Sequence, residues 1–119
     1  MLAYQWLEAN EKMTENEYQS QMLELVQLFE QYKPDQVLVD ARRSRFVIRP
    51  ELQQWVNENV IAVTVAKGLK RIFVILSQEF IAQLSMEQMF DDALTDRFRT
   101  LYFATVEEAQ AWLKTKNLL

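Results

Sequence analysis

Along this chain, short apolar runs alternate with segments of helical periodicity, and that alternation restricts the fold more than any other feature. Leu2 to Leu7 (Leu-Ala-Tyr-Gln-Trp-Leu) reads as a short strand. Thr14-Glu15-Asn16-Glu17 has the form of a capping box, in which a hydroxyl and a carboxylate each satisfy an amide left open at a helix start. Apolar positions at Tyr18, Met22, Leu25, Val26, Phe29 and Tyr32 then fall on one face of a 3.6-residue period. Lys33-Pro34-Asp35 ends that helix, because Pro34 cannot continue the hydrogen-bond ladder. Gln36 to Asp40 (Gln-Val-Leu-Val-Asp) reads as a buried strand, and Arg45 to Arg49 as an extended connection, strand-like at Phe46-Val47-Ile48.

The second half repeats the pattern. Pro50 suits a first helical position and Glu51 the helix dipole. Leu52, Trp55, Val56, Val60 and Val63 share one face. Val60 to Val65 has strand propensity as well, but Pro50 and Gly68 bracket a helix, with Gly68 placed where a left-handed residue closes it. Arg71 to Leu76 (Arg-Ile-Phe-Val-Ile-Leu) is the strongest strand signal. Ser77 is expected to cap a short helix through Leu84, and Ser85-Met86-Glu87-Gln88 to open another running to about Arg97. Thr100 to Phe103 reads as a last strand; Thr105-Val106-Glu107-Glu108 starts a last helix with Ala109, Trp112 and Leu113 on one face. The predicted fold is α/β: about four strands in a mostly parallel sheet covered by about four to five helices, since alternating strands and helices build parallel crossovers. The 119 residues fit one domain, residues 1–119.

Composition narrows the function classes. Half the residues are hydrophobic and a quarter charged, with three Trp, four Tyr and seven Phe to fill a core. The chain has no Cys and no His, which removes disulfides, thiolate nucleophiles and the commonest general base and metal ligand. The stretch Met1 to Met13 carries Glu8, Glu11 and Lys12 with no continuous apolar run, so no secretory leader is expected and the cytoplasm is the expected compartment. No run approaches the ~18 apolar residues of a membrane span. A net charge of −4 argues against nucleic acid as partner, because phosphate neutralisation needs a positive footprint.

The strand-end Asp of Val37-Leu38-Val39-Asp40, the stretch Pro-Glu-Leu-Gln-Gln-Trp at 50–55, Gly-Leu-Lys-Arg-Ile-Phe-Val at 68–74, and Tyr102-Phe103 followed by Glu107-Glu108-Ala109-Gln110-Ala111-Trp112-Leu113 together run over most of the chain. In this order and spacing they resemble the SpoIIAA-like branch of the STAS superfamily, the fold of bacterial anti-sigma-factor antagonists, which also includes members likened to lipid-transfer CRAL-TRIO domains. The resemblance implies a binding or regulatory module without chemistry of its own. Two departures accompany it. The family's antagonists carry a phosphorylatable Ser at the start of the helix after the Asp-ended strand, whereas here that helix begins Arg49-Pro50-Glu51-Leu52, and Ser44 lies in the loop before it. The first edge strand of the fold is also missing, Leu2 to Leu7 resembling its second, so an open edge is expected and a homodimer that covers it.

Candidate site residues lie in one stretch. Asp40 ends a strand at the carboxyl end of the sheet, where open α/β folds place ligands; the competing reading is a carboxylate bonded to the amides of its own loop. Arg42, Arg43, Arg45 and Arg49 form a basic cluster that suits an acidic protein partner, a small anion or a lipid-like head group; the competing reading is a solvated loop of salt bridges. Lys67, Lys70 and Arg71 belong by topology to the opposite end of the sheet. Asp91, Asp92 and Asp96 lack the ligand series of a calcium loop, so no metal is expected. Trp55, Trp112, Phe29 and Phe73 are read as core, as are Met86, Met89 and Phe90, although an apolar ligand cavity would use the same residue types. Gly68 stands alone, with no phosphate-binding glycine loop, and no convergent acid–base set is visible. No catalytic residue and no cofactor are therefore expected. Partners are expected to be another protein, a second copy, or a small anionic or lipid-like ligand.

Overall fold

The computed structural model describes residues 2–91 and 98–117. Its elements follow the order β1 (Leu2–Gln5), a 3₁₀ segment (Glu8–Lys12), α1 (Glu15–Tyr32), β2 (Gln36–Asp40), α2 (Pro50–Val56), a π-helical stretch (Asn57–Ile61), α3 (Ala62–Ala66), β3 (Arg71–Ile75), α4 (Phe80–Asp91), β4 (Arg99–Phe103) and α5 (Val106–Asn117). The strands form one four-stranded sheet in the order β1-β2-β3-β4, and every neighbouring pair is parallel. Strands in sequence order joined by right-handed crossovers place the connecting helices on one face. The core agrees: Val37, Val39, Ile72 and Val74 of the sheet share one buried cluster with Tyr18, Met22 and Phe29 of α1, Leu52 and Val56 of α2, and Met86, Met89 and Phe90 of α4. Successive strand residues point to opposite faces, so Phe73 looks the other way. There it packs against Phe103 and against Trp112 of α5, with ring centroids 6.1 and 5.3 Å away.

Local chemistry explains the boundaries. The Thr14 hydroxyl accepts from the Glu17 amide and the Glu17 carboxylate accepts from the Thr14 amide, the expected capping box in full. Lys33 then takes left-handed backbone (φ 46°), the chain turns at Pro34, and α1 stops. Pro50 sits at the first position of α2, and the whole segment from Pro50 to Ala66 is helical, with the π stretch in its middle. It closes as a Schellman motif: the Gly68 amide donates to the Val65 carbonyl and the Leu69 amide to the Thr64 carbonyl, each at 3.1 Å. Gly68 has φ 116°, a conformation that costs glycine little.

Four expectations need correction, the first being the cap at Ser77: the helix starts at Phe80, and the Ser77 hydroxyl accepts the Glu79 amide and donates to the Ser44 carbonyl instead. Ser85 does not open a helix; α4 is continuous from Phe80 to Asp91 with Ser85 buried inside it. The Ser85 hydroxyl donates to the Ala82 carbonyl and accepts the Ile48 amide, while the first turn of α4 is capped by the Glu79 carboxylate, which accepts the Ala82 amide. A tertiary partner has taken the hydroxyl that the local pattern assigned to a cap. The expected extension of that helix to about Arg97 lies outside the described residues. At Thr105 only half the box forms: the hydroxyl accepts the Glu108 amide, but the Glu108 carboxylate takes the Ala104 amide in place of Thr105's own. Phe46-Val47-Ile48 forms no strand of the sheet.

Candidate functional site

All four strands point their carboxyl ends the same way, and the loop from Ala41 to Arg49 leaves the sheet there. Three sets of bonds fix it. The Ala41 amide continues the β2–β3 ladder by donating to the Ile75 carbonyl, and the Ser44 amide closes a turn on the Ala41 carbonyl, each at 3.0 Å. Asn10, buried at 4% exposure in the 3₁₀ segment, donates its side-chain amide to the Ser44 hydroxyl (2.8 Å) and accepts the Arg45 amide (2.9 Å). From the other side the Ser77 hydroxyl donates to the Ser44 carbonyl (2.7 Å) and the Gln78 amide to the Arg42 carbonyl (3.2 Å).

Beyond Ser44 the chain joins no helix or strand until α2 and burial alternates as in a strand: Ser44, Phe46 and Ile48 are inside, Arg45, Val47 and Arg49 outside. Phe46 stacks on Tyr18 (centroids 4.6 Å, planes 6° apart), and Tyr18 stacks on Trp6 (5.1 Å, 12°), so a run of three rings anchors the loop into the core. Aromatic stacking in a buried site holds geometry as well as area. Ile48 is held by Ser85 at its amide and by Gln53, whose side-chain amide donates to its carbonyl at 2.7 Å. The loop therefore presents its arginines from a rigid support.

The predicted residues divide as follows. Asp40 turns into its own loop: one carboxylate oxygen accepts the Arg42 amide (3.2 Å) and the Arg42 Nε (3.0 Å), the other the Arg42 Nη2 (2.8 Å). That bidentate grip holds the Asp40 carboxyl below the ordinary carboxylate value, against the opposing effect of burial. Arg42, Arg43 and Arg45 converge with Ser44, Glu8, Gln78 and Glu79 around an open depression of about 320 Å³. Arg45 lies 3.9 Å from Glu11, a loose exposed pair. Arg49 stands apart and pairs with Glu15 at the start of α1. Arg43 is exposed and makes no ion pair among the described residues. Ser44, by contrast, is buried at 2% exposure with its hydroxyl engaged.

Sequence reasoning missed Glu8, Gln78 and Glu79 on the rim and Asn10 as the clamp. It also missed exposed apolar side chains that follow the rim residue Glu79 in sequence. Phe80, next to Glu79, is 68% exposed, and Ile81 is 50% exposed one helical turn before the Ser85 that holds Ile48. Val47 and Leu84 are exposed beside them in sequence.

The remaining candidates are structural. Lys67 pairs with Glu30, and Arg71 sits over the Trp112 ring at 5.7 Å, at the amino end of the sheet as expected. Phe29 and Phe73 are buried core, and so are Met86, Met89 and Phe90. Asp91 accepts the Tyr102 hydroxyl at 2.9 Å; Asp92 and Asp96 lie outside the described residues. Among the described residues no group of three or more Asp or Glu side chains could hold a metal ion. The apolar space between the sheet and α1, bounded by Leu2, Met22, Val37, Val60 and Ile72, measures about 50 Å³, whereas pockets for small molecules run to roughly 300–1,000 Å³. No helix among the described residues is long and apolar enough to cross a membrane.

Comparison with known proteins meets this geometry at one point. A family model described as SpoIIAA-like matches residues 5–114 of the 119. Neither the curated proteins nor the solved structures give a match.

Proposed function

This chain belongs to the SpoIIAA-like family, and from that premise we propose that it is a non-catalytic regulatory module that binds another protein through the loop after β2. The observation that carries the proposal is the exposed Arg43, without an ion pair among the described residues, on a pinned loop whose depression is shared by Gln78 and Glu79, the residues that precede the exposed Phe80 and Ile81 in sequence. Arginine beside exposed aromatic and aliphatic groups is the composition of a protein-binding patch. The partner that fits carries carboxylates flanking an apolar side chain, so that Arg43 and Arg45 meet opposite charge while Phe80 and Ile81 are covered. A small free anion fits less well, because Glu8 and Glu79 share the rim with the arginines and Arg42 is already spent on Asp40.

The module works without the family's serine switch. The helix after β2 starts at Arg49-Pro50-Glu51 with no side-chain cap, and Ser44 is buried and bonded. Binding here is governed by the availability of the partner and by ionic strength, since exposed charge pairs are screened by salt. The protein acts in the cytoplasm as a single domain, and no step of its action needs a cofactor.

The test is affinity capture from a bacterial lysate at low salt, with wild type beside an Arg42→Glu, Arg43→Glu, Arg45→Glu variant. The expected result is a reproducible acidic partner retained by wild type, lost with the variant and eluted by raised salt. Equal retention by both proteins would remove this surface. Binding of inorganic phosphate by titration calorimetry, with no protein retained, would replace the protein partner with a small anion.

A further inference from the structure

We propose that a second site, independent of the arginine loop, lies along the side of α2 and the π stretch and takes a guanidinium group, free or on an arginine side chain. Pro50, Gln53, Gln54, Asn57 and Glu58 line a depression of about 370 Å³ there. Residues 53, 54, 57 and 58 share one side of the helix, since positions three and four apart stack above one another. None of the lining residues is basic, and Arg49, the residue before Pro50, is paired with Glu15.

The side-chain bonds leave oxygens over. Gln53 is buried at 5% exposure, and its Nε2 donates inward to the Ile48 carbonyl (2.7 Å) and to Gln88 Oε1 (3.4 Å). Both of its amide protons are then used, and both partners are acceptors, so the nitrogen end of the amide is fixed. Gln53 Oε1 receives no donor among the described residues. Gln54 Nε2 donates to Glu58 Oε1 at 3.0 Å, which leaves Gln54 Oε1 and the second Glu58 oxygen open. Asn57 Oδ1 is buried and has no hydrogen-bond partner among the described residues. A buried acceptor left unpaired carries its full desolvation cost, so native structures keep few of them and each calls for an explanation.

The backbone singles out the same residue. The π stretch begins at Asn57, whose carbonyl accepts the Ala62 amide five residues on. Two residues later the Asn59 side chain enters the ladder, donating to the Trp55 carbonyl at 2.9 Å. Single π turns within α-helices are rare and concentrate at functional sites.

The unpaired oxygens call for N–H or O–H donors, and the Glu58 carboxylate favours a cation among these. One carboxylate is too little charge for a hard divalent ion, which gathers several. An ammonium is compact and strongly hydrated, whereas a guanidinium spreads five N–H donors over a plane and gives up water more readily. It is therefore the cation suited to pair with exposed Glu58 through one edge and to supply Asn57 Oδ1 with a donor through another, with the Gln53 and Gln54 oxygens as further acceptors.

Titration of the 119-residue chain with methylguanidinium at constant ionic strength, followed in amide proton–nitrogen spectra, tests this. Saturable shifts are expected at Gln53, Gln54 and Asn57, with a dissociation constant on the order of 1–10 mM. Tetramethylammonium, which has the charge but no N–H, is expected to give none. Asn57→Ala is expected to raise the dissociation constant about tenfold without lowering the melting temperature, because the oxygen it removes has no partner. Glu58→Gln, at an exposed position, is expected to weaken binding as well and carries the test if the first variant does not fold. N-acetylarginine amide separates the sources: tighter binding than methylguanidinium assigns the site to an arginine of a polypeptide, and equal or weaker binding to a free guanidino compound. Absence of saturable shifts up to about 100 mM overturns the proposal. So does an equal response to tetramethylammonium, or binding that survives both substitutions. The titration should be unchanged in Arg43→Glu, Arg45→Glu, so this site and the arginine loop stand or fall separately.

Discussion

The two ends of the sheet carry similar numbers of cations and use them differently. At the amino end Lys67 is paired with Glu30, Arg71 lies over Trp112, and the backbone amides of Lys70 and Arg71 both donate to the Asp35 carbonyl. These groups close the structure at its base. At the carboxyl end Arg42 is likewise held by Asp40, but Arg43 and Arg45 stand around an open depression, Arg45 only loosely paired with Glu11. The Ala41–Arg49 loop that carries them is pinned through Asn10, Ser77, Ser85 and the Phe46 ring, and the proposed binding role rests on this difference between the two ends.

The comparison can be broken at several strengths. Phe46→Ala removes the ring that anchors the loop to Tyr18 and leaves a cavity; a loss of about 3–5 kcal/mol is expected from urea unfolding, together with loss of partner retention. Asn10→Ala strips the Arg45 amide and the Ser44 hydroxyl of their partner while leaving the core intact. It should cost about 1–3 kcal/mol, and hydrogen exchange should quicken at Arg45 ahead of the sheet. Arg71→Ala, at the amino end, removes one cation–π contact and should cost about 0.5–1 kcal/mol with capture unchanged.

The smallest effect is one of pH. Arg42 holds the Asp40 carboxyl below its ordinary value of 3.8, so the folded state gives up that carboxylate's charge at lower pH than the unfolded chain does. Its contribution is complete above the ordinary value and fades as pH falls from 3.8 through the lowered one. Wild type should therefore lose stability below about pH 4 more steeply than Asp40→Asn, a difference thermal melts at successive pH values would detect. Parallel slopes for the two proteins would mean that the Asp40–Arg42 contact carries no folding free energy.

Much of this was legible in the sequence because it is written locally. The Thr14–Glu17 box, Pro50, Gly68 and the apolar run at 71–76 each determine their own few residues of backbone, and each appears where expected. The arginine loop was half legible: reading Arg45 to Arg49 as an extended connection fits the alternating burial from Ser44 to Arg49, but residue type did not foretell it, since polar Ser44 is buried and apolar Val47 exposed. What holds the loop was not, because Asn10 reaches Ser44 and Arg45 across 34 and 35 residues and Ser85 reaches Ile48 across 37. No short motif encodes such partners. Ser85 shows the consequence, since its hydroxyl fitted a helix start by pattern and was taken instead by a distant amide.

The most direct test of the arginine loop sets the two ends of the sheet against each other. Partner retention at low salt should be compared between Arg43→Glu, Arg45→Glu and Lys67→Glu, Lys70→Glu, two variants with the same change of net charge. The account predicts that the first loses the partner and the second keeps it. Equal loss in both would show that overall charge, not the pinned loop, governs binding, and loss in the second alone would move the binding surface to the opposite end of the sheet.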